Sequence, residues 1–347
     1  MLERFRTSRG REIVIQRVAP TLALVPAVAG FLLALCAGPV LAQQAVDASG
    51  PITLQRVDPQ ENLVEELIVN ARLPGPAWWK VSDADTTIYV LGAPGLTPSG
   101  LTYDDSVIKR RLEGADRLIM GQEADISVVR MIALVMGGRS YFLSEQPMRE
   151  TLPPELRARL DARLAATKAG SDYDKVKPAF AGFMLAKAPG GSLSISKSVT
   201  DEIRDMAKEL PQDKRPRIQN LSGYSLVDAI KALGSLPQPL QELCLDAGLR
   251  EAESGQGGVK QIAERWATGD VRAVVSADRG FQRCLASTPS IARELRDGRD
   301  DAVKAIESAL KKPGKSVAVI ELRSLLAQDG VLDQLRAKGL KVSTPDE

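Results

Sequence analysis

The chain has 347 residues, 44% of them hydrophobic, enough to bury a sizeable core in one large domain or two small ones. Its 46 basic and 44 acidic residues leave a formal net charge of +2, and no basic stripe points to nucleic acid. Histidine is absent, which removes Ser-His-Asp and Cys-His catalysis and every imidazole-based metal site, HExxH included.

Residues 1–42 read as a signal peptide. Arg4, Arg6, Arg9, Arg11 and Arg17 precede an apolar run, Leu22–Leu35, and Val40-Leu41-Ala42 offers the small residues a signal peptidase requires. Cleavage is expected after Ala42, giving a periplasmic or secreted protein. The run is interrupted by Pro26 and Gly30 and is short for a membrane span, and no later stretch approaches one. A retained N-terminal anchor is the alternative. Cys36 leaves with the leader, so Cys244 and Cys284 remain in a compartment that permits disulfides. They form either a bridge or two buried thiols, Cys244 lying on an apolar helical face.

Residues 43–75 contain Gly50, Pro51, Pro59, Pro74 and Gly75 and read as a flexible linker or loosely attached arm, with a short amphipathic strand at Val64–Arg72. The folded domain, residues 76–347, opens with two apolar segments around the turn-forming Ser82–Asp85. This is a hairpin pattern that carries Trp78 and Trp79 into the core. Gly92-Ala93-Pro94-Gly95 follows as a loop whose two glycines are expected to permit a turn. A helix capped near Asp104 or Asp105 and a short buried strand, Arg117–Met120, complete a parallel βαβ start.

The middle of the chain has helical spacing. Leu156, Leu160 and Leu164 recur at i, i+4 and i+8 before Gly170, and amphipathic stretches follow at Ser198–Leu210, Ser225–Leu233, Pro239–Leu249 and Val259–Asp270. Such helices can wall a cleft. The C-terminal part alternates again: helix at Asp300–Lys312, buried strand at Lys315–Leu322, helix at Gly330–Gly339, strand at Leu340–Ser343. The expected fold class is α/β, or α+β, with a mixed sheet built from N- and C-terminal parts and a helical insertion forming a cleft.

Three short motifs carry little. Ser194–Lys197 matches SxxK without the SDN or KTG that accompany it. Pro313–Ser316 resembles the end of a phosphate loop, but Ala309 stands where the first glycine belongs. Asn220–Ser222 is a formal glycosylation acceptor, empty of meaning in a bacterial setting. The carboxylates are more informative. Glu123 and Asp125 follow one expected strand and Glu321 ends another, and parallel strands share the edge at which ligands bind. There the three carboxylates, beside the Gly92–Gly95 loop, would hold a hard divalent cation such as Mn²⁺ or Co²⁺. The plainer reading pairs Glu321 with Arg323 or another surface cation and leaves Glu123 and Asp125 solvated or capping a helix.

Pro76–Gly92, the Lys177–Phe180 segment KPAF, the Trp266–Asp270 segment WATGD and the closing stretch Leu325–Val342 together resemble the TraB/GumN family, also called Tiki-like, over roughly residues 76–343. The resemblance implies strands and helices around a shared cleft and, for some members, a divalent-metal-dependent peptidase activity that uses two Gly-x-x-His motifs. Here the first motif falls on Gly92-Ala93-Pro94-Gly95 and the second on Glu321-Leu322-Arg323-Ser324, so glycine and serine replace the imidazoles. The family's glutamate after the second strand falls on Gly121, with Glu123 reached only by a shift. A second family acid falls on Ser222, after Leu221, and the Arg-Asn pair has no clean counterpart, although Arg299 and Asp300 lie nearby.

A metal-activated water needs ligands that this chain lacks. The expectation is a protein without catalysis or cofactor that binds a partner protein, peptide or envelope polymer in a degenerate cleft. Its candidate residues are Gly92, Gly95, Glu123, Asp125, Glu321, Arg323 and Ser324. The alternatives are a hydrolase with Glu123, Asp125 and Glu321 as carboxylate-only metal ligands, and a structural envelope protein.

Overall fold

Large apolar residues two apart favour a strand with one buried face, and two such runs around Ser82–Asp85 pair as expected. In the computed structural model β1 (Trp78–Ser82) and β2 (Thr86–Ala93) run antiparallel, Trp79 opposite Val90 and Val81 opposite Ile88. The Asp83 carboxylate fixes the turn by accepting from the Thr86 backbone N–H at 2.9 Å. The structure describes residues 58–71, 73–125, 132, 139–167, 171–187, 198–255 and 258–344. All belong to one compact unit, Ile52–Glu347.

The remaining strands are β3 (Arg117–Met120), β4 (Ala124–Asp125), β5 (Arg217–Asn220), β6 (Tyr224–Ser225), β7 (Gly314–Glu321) and β8 (Lys341–Ser343). One six-stranded sheet has the order β5-β3-β7-β2-β1-β8, while β4 and β6 form a separate parallel pair. The four strands from β5 to β2 are parallel and β1 and β8 are antiparallel additions. The C-terminal strand β7 lies between β3 and β2, so the sheet is indeed assembled from both parts of the chain. Its run Val317–Ile320 is buried throughout, as a central parallel strand covered on both faces must be.

The principal helices are α1 (Ser106–Leu112), α2 (Pro154–Thr167), α3 (Pro178–Lys187), α4 (Val199–Glu209), α5 (Leu226–Gly234), α6 (Gln238–Ser254), α7 (Val259–Ala267), α8 (Val271–Ser276), α9 (Gly280–Ala286), α10 (Pro289–Leu310), α11 (Leu322–Leu326) and α12 (Val331–Ala337). The main core joins the sheet to Ile108 of α1, Ile203 of α4, Ile306 of α10, Leu325 of α11 and Leu335 of α12. A second core belongs to the helical insertion, where Leu160 and Leu164 of α2 meet Leu185 of α3 and Leu245 and Leu249 of α6.

Helices α3 and α6 cross where Gly182 faces Gly248, and a Cβ on either would run into the backbone of the other helix. A buried ion pair, Lys187 Nζ to Glu251 Oε1 at 2.6 Å, fastens the same two helices. The second Glu251 oxygen accepts from the Phe281 N–H at 3.3 Å, so neither carboxylate oxygen is left without a donor. Cys244 of α6 and Cys284 of α9 are joined in a disulfide with a Cα–Cα distance of 5.4 Å.

Residues 58–71 differ from the expected linker. Leu67 is fully buried, its carbonyl accepts from Trp79 Nε1 at 3.2 Å, and the Val64 N–H donates to the Leu326 carbonyl at 2.9 Å. Leu67 and Ile68 anchor this stretch in the main core, making it a packed arm. The strand expected at Val64–Arg72 is instead a 3₁₀ turn at Glu65–Leu67, flanked by single bridges from Leu63 to Ala327 and from Asn70 to Asp270. The turn carries adjacent Leu67 and Ile68 together into the main core, and the two flanking bridges run to different segments, so they do not join into one ladder.

The expected turn glycines also differ. Gly92 is a strand residue paired with Ile320, and neither it nor Gly95 has a left-handed φ; in this region that conformation belongs to Gly100, at φ 77°. The expected leader at 1–42, the linker's first part at 43–57, Gly170 and the Ser194–Lys197 motif lie outside the described residues. No helix among the described residues is long and apolar enough to cross a membrane.

Candidate functional site

Parallel pairing sets Ala93 beside Glu321, so Gly92–Gly95 and Glu321–Ser324 leave β2 and β7 side by side at the carboxyl edge of the sheet. The Gly92 carbonyl accepts from Trp266 Nε1 at 2.5 Å, and a Cβ at Gly92 would meet Leu322 and the Trp79 ring. Gly92 therefore answers a demand for close packing. Gly95 has open space around its Cα.

Glu321 is the N-cap of α11. Its Oε1 accepts from the Arg323 N–H at 3.1 Å and its Oε2 from the Ser324 N–H at 2.7 Å, satisfying two of the donors that a helix start leaves free. The carboxylate thus engages the Arg323 backbone, while the Arg323 guanidinium donates elsewhere, to the carbonyls of Gln60 and Val275.

The arm enters this strand-end site. Gln60 is buried, and its side-chain Nε2 donates to Ser324 Oγ at 2.7 Å and to Glu321 Oε2 at 3.0 Å. Around Gln60 four arginines from three helices converge on Asp58–Glu61. Arg279, at the N-cap of α9, donates to Asp58 Oδ2 at 2.7 Å, to the Gln60 carbonyl at 3.1 Å and to Gln60 Oε1 at 2.9 Å. Arg283 of α9 grips Glu61 through two bonds of 2.7 Å. Arg299 of α10 donates to the Pro59 carbonyl at 3.1 Å, and Arg323 of α11 to the Gln60 carbonyl at 3.2 Å.

The electrostatics follow from this crowding. Burial, with the neighbouring Arg279 charge as a smaller cause, pushes the Arg323 guanidinium down to about 10. Burial also lowers Arg299. Hydrogen bonds from Arg283 outweigh burial at Glu61 and hold its carboxyl below the ordinary 4.5.

The sequence-predicted residues divide. Gly92, Gly95, Glu321, Arg323 and Ser324 lie on the two adjoining strand-end segments. Glu123 is held by α4 instead, accepting from Arg204 Nη2 at 2.6 Å while the same guanidinium reaches Asp201. Asp125 pairs with Ser225 in the β4–β6 ladder. Among the described residues no group of three or more His, Cys, Asp and Glu side chains is arranged to hold a metal ion.

The donor set at the strand ends does not fit a divalent cation. Both Glu321 oxygens already accept N–H bonds, and Gln60 and the arginines present hydrogens where a cation needs lone pairs. Nor is there room for the family's acid at Gly121, since a Cβ there would lie 2.8 Å from the Val319 carbonyl oxygen. Ser222 lines an open depression of about 260 Å³ with Gln219, Asn220, Leu221, Asp301 and Lys304. Of the Arg299-Asp300 pair only Arg299 turns into the site; Asp300 accepts from Gln334 on an exposed face.

Sequence reasoning missed Asp58, Gln60, Glu61, Arg279 and Arg283. A signal existed: Arg279 and Arg283 are four apart at a helix start, and Asp58 and Glu61 are three apart with opposite charge.

A sequence model of the TraB/PrgY/gumN family matches residues 77–344. No curated protein and no solved structure matches the chain. Because the family match spans the sheet, the helical insertion and the paired strand ends together, the chain belongs to the TraB/PrgY/gumN family.

Proposed function

We propose that this chain is an exported, catalytically inactive member of its family, and that its former active-site cleft binds a partner protein, a peptide or an envelope polymer. The observation that carries this reading is the exchange of chemistry at the strand ends. Lone-pair ligands are replaced by N–H donors from Gln60, Arg279, Arg299 and Arg323. Guanidinium groups donate only and stay charged, so such a cleft repels divalent cations and attracts carboxylates and other anions.

Hydrolysis lacks support from the same residues. A metal-activated water requires ligands that lower its pKa, and Ser324 has no histidine to activate it, its hydroxyl instead accepting from Gln60. Export is supported by the basic and apolar leader and by the Cys244–Cys284 disulfide, which suits an oxidising compartment.

Protein purified from the envelope fraction provides the test. Its N-terminus should be Gln43, it should carry no stoichiometric metal, and Mn²⁺ or Co²⁺ should leave its melting temperature unchanged. A metal ion held at 100 times its dissociation constant would add about 2.7 kcal/mol, which is readily seen. Stoichiometric metal together with peptidase activity that a chelator abolishes would refute the reading.

A further inference from the structure

The arm's contacts have a pattern. Along Asp58–Glu61 the arginines take a carboxylate, a main-chain carbonyl, a second main-chain carbonyl with a side-chain amide, and a second carboxylate. This is recognition of a peptide main chain, because two of the accepting groups are backbone carbonyls in consecutive residues, presented by a turn in which the Glu61 N–H donates to the Asp58 carbonyl at 3.1 Å. Bidentate contact at Glu61 adds geometric selection for a carboxylate at the fourth position.

We infer that the four-arginine cleft is a recognition site for an acidic peptide segment, and that Asp58–Glu61 is its tethered resident, exchangeable with a like segment of a partner protein. The inference rests on the partner-binding reading above and names the class of ligand.

Three observations make the resident exchangeable. The apolar hold on the arm begins later, at Leu63, Val64 and Leu67, so Asp58–Asn62 can leave without unpacking the core. The departing segment is held by polar bonds, each of which is replaced by bonds to water on release; the buried Asp58–Arg279 pair is the costliest, but release hydrates both of its charges together and strands neither. Last, the resident is an imperfect fit: Arg299 is 6% exposed, yet its Nε finds no partner among the described residues. A ligand with a further acceptor at that point would satisfy a buried donor that the arm leaves unmet.

Once the arm leaves, Arg279, Arg283, Arg299 and Arg323 lose Asp58 and Glu61. Asp278 remains near Arg283, Asp300 and Asp329 near Arg299, and Glu321 near Arg323. Four clustered cations with two fewer counter-charges bind an acidic segment through the same bonds. The resident competes from a short tether, so a free peptide meets a high effective concentration of arm in the native chain.

The test uses the full chain and a labelled peptide with the sequence of residues 56–64, read by fluorescence anisotropy. In the Asp58→Asn/Glu61→Gln variant the arm is weakened and the cleft arginines are intact. The peptide should bind this variant at least about tenfold more tightly than the wild type, since the competent fraction rises. It should also raise the variant's melting temperature, while a peptide with lysine at both acidic positions should do neither. A folded variant that binds neither peptide overturns the inference.

If the variant does not fold, native-state hydrogen exchange on the wild type decides. The amides of Gln60 and Glu61 should exchange through an opening that leaves β2 and β7 protected, and exchange only upon global unfolding overturns the inference. Failure here in a protein that is metal-free and inert removes only the acidic-peptide assignment. Metal content with peptidase activity removes the underlying reading.

Discussion

The side-chain amide of Gln60 donates to Ser324 Oγ at 2.7 Å, across 264 residues of sequence. Ser324 occupies the place that family resemblance gives to an imidazole, and the group meeting it is a donor from the chain's own arm. The same amide also reaches Glu321 Oε2 at 3.0 Å, so the contact is shared. Ser324→Ala should therefore cost only about 0.5–1.5 kcal/mol, the usual net value of one intramolecular hydrogen bond. Gln60→Ala should cost more, because it also leaves an Arg279 N–H without its partner at 2.9 Å. Urea midpoints at unchanged m-value measure both, and the opposite ranking would show that the amide is not the keystone.

Asp58 and Glu61 are both arm carboxylates facing arginine, but they differ in burial. The Asp58 side chain is fully buried against Arg279, whereas Glu61 and Arg283 are 22% and 30% exposed. Asp58→Ala leaves a buried guanidinium uncompensated and should destabilise by about 3–5 kcal/mol. Glu61→Gln should cost no more than about 1 kcal/mol, since water screens that pair. Chemical denaturation of the two variants side by side checks the contrast.

Acid should expose the Glu61 contribution. Its folded-state pKa lies below the ordinary 4.5, so its stabilisation is fully present above that value and is lost as pH falls through the lowered one. Arg283 keeps its charge throughout this window. Stability should therefore fall more steeply below about pH 4.5 in the wild type than in Glu61→Gln, and parallel curves would remove Glu61 as a contributor.

The sheet was legible in the sequence because its strands are local patterns. The hairpin around Ser82–Asp85, the buried run before Glu321 and the short strand before Ser343 each declare themselves within ten residues, and a C-terminal strand entering the sheet followed from having strands at both ends. The adjacency of Gly92–Gly95 and Glu321–Ser324 was legible for the same reason. The arm was not. Asp58–Glu61 contains proline and charges, which alone suggest a loose linker, and its burial depends on arginines more than 200 residues away, for example Arg279 at a separation of 221. Gly92 misled differently: its lack of a side chain serves packing against Leu322 and Trp79, which no local pattern reveals.

The disulfide couples the helical insertion to the arginine site. Cys284 lies in α9, the helix that also carries Arg283 and starts at Arg279, and its partner Cys244 lies in α6, fixed against α3 by the Gly182–Gly248 crossing. With a sequence separation of 40, the bridge should contribute about 4 kcal/mol by restricting the unfolded chain. Cys244→Ala/Cys284→Ala should therefore lower the melting temperature by several degrees or more. Beyond this global effect, α9 loses its covalent hold on α6 and with it the fixed placement of two of the four arginines. Hydrogen exchange should then rise at Gln60 and Glu61 before it rises at β2 and β7. A uniform rise across all of these amides would mean that the bridge stabilises the fold without positioning the cleft.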